Sequence, residues 1–142
     1  MKFNFKDIHI GHVISDLFEE KEIEVDRALK FLKIDAKELQ EIFTSKNIDA
    51  ELLLRFSKLL EYDFFRIYSQ HLVLYAPPAS QNYKTTSTTS KKAPHFKKNV
   101  YTKEIITFIV GLIQSNQKTA SEVIEEYRIP KTTLYKWLKK YQ

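Results

Sequence analysis

Cysteine is absent from the 142 residues, which removes disulfides, thiolate zinc sites, iron–sulfur clusters and thiol nucleophiles together. Glycine is nearly absent. Gly11 and Gly111 are the only two, and neither stands in a G-x-G-x-x-G or G-x-x-x-x-G-K pattern, so glycine-loop routes to phosphate binding are closed. The longest mostly apolar run, Ile105 to Ile113, is nine residues, about half of a membrane span. Met1-Lys2-Phe3-Asn4-Phe5-Lys6-Asp7 opens the chain without an apolar signal region. The expectation is a soluble, cytoplasmic protein that binds no membrane. Histidines number four, and His9 and His12, spaced i, i+3, lack a third ligand, so they read as surface or packing residues. No metal, cofactor or catalytic residue is expected.

What is present is divided by charge. Residues 1–75 hold 11 Lys/Arg against 14 Asp/Glu, a net −3, and residues 76–142 hold 12 against 4, a net +8. Such asymmetry suggests that one half meets a polyanion, although a solvated lysine-rich surface would look the same by charge alone. Between the halves, Ala76-Pro77-Pro78-Ala79-Ser80 interrupts regular structure, because proline lacks a backbone donor. Thr85-Thr86-Ser87-Thr88-Thr89-Ser90 and Lys91, Lys92, Lys97 and Lys98 follow. The composition predicts a flexible linker over 76–99 with a basic arm at its far end. At about 5–6 Å × √n it would span roughly 25–30 Å.

The fold class expected is all-α, in two small helical domains, 1–75 and 100–142. In the second, Thr102 precedes Ile105, Ile109, Leu112 and Ile113 at helical spacing, which predicts a helix over 103–115. Thr119-Ala120-Ser121-Glu122 is a capping box that opens a short helix over 120–127. Pro130 suits only a helix start, and from Lys131 a third helix carries Leu134, Trp137 and Leu138 on one face. A short helix, a three-residue break and a second helix form the unit that places its second helix in the DNA major groove. Thr132, Thr133 and Lys136 are the candidate base readers. Lys97, Lys98, Lys131, Tyr135, Lys139 and Lys140 are the candidate phosphate contacts.

Arg128-Ile129-Pro130-Lys131-Thr132-Thr133-Leu134-Tyr135-Lys136-Trp137-Leu138 resembles the helix-turn-helix of insertion-sequence transposases and serine recombinases. The resemblance spans Tyr101 to Tyr141. It implies a homeodomain-like trihelical fold, with Thr132 and Lys136 reading bases, Tyr135 near phosphate, and Leu134 and Trp137 in the core. Two positions depart from that pattern: Pro130 replaces a small polar residue, and Lys136 stands where recombinases often carry a bidentate arginine.

In the first half, Ile10, Val13, Ile14, Leu17 and Phe18 form one stripe, and Val25, Ala28, Leu29 and Leu32 a second. Asp35 to Glu38 is an aspartate capping box before Leu39, Ile42 and Phe43. Asp49 caps a helix with Leu52, Leu53, Phe56, Leu59 and Leu60, and Asp63 a short segment from Phe64 to Tyr68. Five short helices with a turn at Lys33-Ile34-Asp35 resemble the phage-repressor domain of Cro/C1 type over residues 9–70. Two uses remain open for it. Lys37, Gln40, Thr44 and Lys46 could form a second DNA face, which Glu38 and Glu41 would oppose. Alternatively the domain serves dimerisation or partner binding. Phe64 to Tyr75 holds more apolar surface than a small core needs, which makes Phe64, Phe65, Tyr68, Leu72, Leu74 and Tyr75 a candidate dimer interface.

A transposase nuclease requires three carboxylates around two metal ions on a mixed sheet, and a serine recombinase an α/β catalytic domain. Neither has a place in this sequence. The expected function is therefore sequence-specific recognition of double-stranded DNA without cleavage, in a nucleoid-associated bacterial protein. The expected partners are a second copy and a separate transposase catalytic subunit. A transcriptional regulator unrelated to transposition, or a protein–protein adaptor with a basic anchor, is the alternative.

Overall fold

The computed structural model describes residues 3–76, 93–94 and 101–141. Eight α-helices and no strands occur among them. The helices are α1 (Ile10–Glu20), α2 (Val25–Leu32), α3 (Ala36–Thr44), α4 (Ala50–Leu60), α5 (Phe65–Tyr75), α6 (Lys103–Gln114), α7 (Ala120–Tyr127) and α8 (Lys131–Tyr141). The chain divides into two compact units between Tyr68 and Ser69, inside α5. Of the expected linker over 76–99, only Ala76, Ala93 and Pro94 are described residues.

The first unit is built from helices with strong local start signals. Asp35 and Glu38 form the reciprocal capping box, the Asp35 carboxylate accepting from the Glu38 amide at 2.7 Å and the Glu38 carboxylate from the Asp35 amide at 2.8 Å. Asp49 caps α4 by accepting from the amides of Glu51 and Leu52. At α1 the cap is His9, whose Nδ1 accepts from the His12 amide at 3.3 Å while the two rings stack 3.6 Å apart. Ile10, Ile14, Leu32, Phe56, Leu60 and Phe64 are fully buried in one core. Each such side chain contributes about 1.5–3 kcal/mol of burial free energy. Val25, assigned by spacing to the buried stripe of α2, is instead 47% exposed. It is the first residue of α2, one turn before the buried Ala28.

Gly11 lets α1 meet α3 at backbone distance. Its amide donates to the Ser45 carbonyl at 3.2 Å, and a β-carbon there would collide with the carbonyl oxygens of Ile42, Phe43 and Ser45. The requirement is for absence of a side chain, not for an unusual backbone angle.

The second unit comprises the end of α5 with α6, α7 and α8. Ile105, Ile109, Val123, Ile129 and Leu134 are its buried centre. α8 packs on both α6 and α7. Gln70, 2% exposed, accepts from both the amide and the hydroxyl of Thr102, at 3.2 and 3.3 Å, and so holds the start of α6. The expected segment Phe64 to Tyr68 is thus too short. Asp63 does accept from the Arg66 amide at 3.3 Å, but the helix continues to Tyr75.

Candidate nucleic-acid interface

The second unit presents α8 by fixing one of its sides. Leu134 is fully buried, and Trp137 and Leu138 are half-buried. Tyr101 stands edge-on to Trp137 with ring centres 5.0 Å apart. At the far end the Gln114 side-chain amide donates to the Tyr141 carbonyl at 3.3 Å. Upstream, Thr119 and Glu122 complete the capping box of α7: the Thr119 hydroxyl accepts from the Glu122 amide, and the Glu122 carboxylate accepts from the Thr119 amide at 2.7 Å. Those hydrogen bonds hold the Glu122 carboxyl below its ordinary pKa. Lys118 pairs with Glu126, which raises the pKa of the lysine. Between α7 and α8, Arg128 takes a left-handed backbone (φ 50°, ψ 38°) and Ile129 is buried at 1% exposure. That turn ends α7, and α8 starts at Lys131 directly after Pro130.

The opposite side of α8 is open. At about 100° per residue, exposed Lys131, Tyr135, Lys139, Thr132, Lys136 and Lys140 follow one another in that order around about half of the helix, and Tyr141, the last residue, is exposed outside that half. No carboxylate occurs on α8. The Lys131 ammonium lies 5.9 Å from the centre of the Tyr135 ring, a cation–π approach that leaves Tyr135 49% exposed. Lys139 and Lys140 also occupy the last turn, where cations complement the helix dipole, so part of their presence has a purely structural account. Thr133 is half-buried at the boundary beside Trp137 and is the least available of the three candidate base readers. Lys97 and Lys98 lie outside the described residues. Tyr101, Gln114 and Gln70 were not legible as parts of the site, since each acts through a contact distant in sequence.

In the first unit, Lys37, Gln40, Thr44 and Lys46 are all exposed. The two lysines, however, face carboxylates: Lys37 lies 3.9 Å from Glu41, and Lys46 pairs with Asp7, whose pKa it lowers. Thr44 donates its hydroxyl to the Glu41 carbonyl at 3.0 Å. Exposed pairs of this kind contribute little to stability, but each balances a cation that a phosphate would need.

The candidate dimer residues separate into two groups. Phe64 is fully buried and Leu74 is 2% exposed, so both belong to the interior and neither can line an interface. Phe65 is half-buried, while Tyr68, Leu72 and Tyr75 are 36%, 57% and 39% exposed. The apolar excess of this segment is explained in part by its supplying residues to two cores: Phe64, just before α5, and Ile67 to the first unit, Val73 and Leu74 to the second. Tyr75 lies near Glu126, and burial followed by that charge raises its pKa.

Among the described residues, no group of three or more His, Cys, Asp or Glu side chains could hold a metal ion. None of the described helices is long and apolar enough to cross a membrane. No family model, curated protein sequence or solved structure matches the chain.

Proposed function

We propose that the chain is a sequence-specific double-stranded DNA-binding protein of transposase-associated type, recognising DNA through α7, the Arg128–Pro130 turn and α8 without cutting it. The observation that carries this reading is the open half of α8, where four lysines, Thr132 and Tyr135 are exposed and no carboxylate intervenes. Affinity would come chiefly from Lys131, Lys139 and Lys140 on phosphates, with counterion release. Discrimination would come from Thr132 and Lys136 at base edges. On α7, Glu122 and Glu126 are engaged by Thr119 and Lys118.

Two copies joined through the exposed Leu72 and Tyr75 would gain affinity by effective concentration, since one bound reader keeps the other near the same DNA. A second reading, an adaptor with a basic anchor, is favoured by one specific observation: the cations of α3 and of the segment after it are balanced by Glu41 and Asp7. Selection of binding sites from a randomised duplex pool by the full chain separates the two. A DNA reader enriches one motif, whereas a basic anchor retains the pool without enrichment.

A further inference from the structure

In the first unit, two clefts of about 290 and 370 Å³ adjoin. Asn47 and Ile48 line both. The first lies between α3 and the start of α4, with Ile34, Ile42 and Leu52 as its apolar wall and Glu38, Glu41 and Asp49 at its rim. The second continues past Ile48 to Leu53, Phe65 and Tyr68 and has no ionisable carboxylate in its lining. The pair is therefore acidic at one end and apolar at the other.

The three carboxylates keep capacity for an incoming cation. Glu38 caps with Oε2 and Asp49 with Oδ1, which leaves the second oxygen of each. Glu41 faces Lys37 at 3.9 Å, an exposed pair worth little, and an incoming cation would share its carboxylate with that lysine. No lysine or arginine lines either cleft. We propose that this double cleft receives a short segment of a partner protein that is cationic at one end and carries aliphatic or aromatic anchors at the other. Its lysines or arginines meet Glu38, Glu41 and Asp49, and its anchors lie against Ile48, Phe65 and Tyr68.

Charge complementarity selects that occupant over duplex DNA. Duplex DNA would bring phosphates onto three carboxylates with no lining cation to offset them. Asn47, which lines both clefts, is a polar residue at their junction. The proposal stands apart from DNA reading by α8, and its assay contains no DNA in the primary arm.

The test uses the full chain and a fluorescein-labelled peptide with lysines in its first half and leucine and phenylalanine in its second. Saturable anisotropy is expected, with amide shifts in a nitrogen-labelled sample centred on Glu41, Asn47, Ile48 and Tyr68. Glu41→Lys should weaken binding about tenfold, as reversal of a rim charge does, and Tyr68→Ala by a similar factor through loss of an anchor contact. Glu20→Lys, an exposed reversal at the end of α1, should leave affinity unchanged. Circular dichroism checks that each variant is folded, and exposed Glu41 keeps the test intact if Tyr68→Ala is not. Equal binding of a polylysine peptide, or equal loss in Glu20→Lys, would overturn the proposal in favour of diffuse charge attraction. Shifts at the same amides on adding duplex DNA, or on raising the concentration of the chain alone, would overturn it in favour of DNA or a second copy.

Discussion

At Gly11 the close approach of α1 and α3 depends on a missing side chain. Gly11→Ala would drive a β-carbon into three backbone carbonyls, which cannot rotate away. We expect a loss of about 3 kcal/mol, at the upper end of ordinary overpacking, read from chemical denaturation. Nothing in the sequence separates this glycine from one that merely weakens a helix. Scarcity of glycine has a further consequence: Lys33, Glu61 and Arg128 take the left-handed conformation at the ends of α2, α4 and α7. Each side-chain-bearing residue there costs on the order of 1–2 kcal/mol, and the usual glycine stop signal is missing from the sequence. On α8, Lys136→Ala or Thr132→Ala should reduce affinity for a selected site by roughly 1–3 kcal/mol and relax its sequence preference. Lys139→Ala should weaken selected and random duplexes alike. Equal losses on both duplexes for all three variants would show that base edges are met by other residues.

Helix starts were legible because their signals are local. Thr102, Thr119, Asp35 and Asp49 each cap the helix that follows them. The extent of α5 was not. A helix facing one core shows one apolar stripe, but α5 contributes to two units, and its apolar residues lie on several sides with no single period to read. The same blurring placed Phe64 and Leu74 at a surface they do not reach. An aspartate at Leu72, 57% exposed, should leave the fold intact and abolish self-association in sedimentation velocity. A wild-type chain that stays monomeric at high micromolar concentration would contradict pairing through α5. At α7 the hydrogen bonds to Glu122 hold its pKa below 4.5. The linkage sign follows from that depression: the contribution is present above pH 4.5 and is lost as pH falls through the folded-state value. The stability difference between wild type and Glu122→Gln should therefore shrink on acidification below pH 4.5. A difference that stays constant down to pH 2 would show that the carboxylate is not the source.

For the molecule as a whole, the division of charge was plain in the sequence, −3 before residue 76 and +8 after it. Which basic residues share a surface was only partly legible. The period of α8 places its lysines around one open half, but the contacts of Tyr101 and Gln114 that fix which half faces outward join residues far apart in the chain. Composition could not locate the division at Tyr68 and Ser69 either, because it falls within a continuous helix and follows packing instead of prolines. The most direct measurement is the salt dependence of duplex binding by the full chain, compared with Lys139→Ala and Lys140→Ala. If six or so phosphates are neutralised, log K should fall against log salt with a slope of about −5, and each substitution should reduce that slope by about 1. An affinity independent of salt, or a slope that neither substitution changes, would contradict DNA recognition through α8.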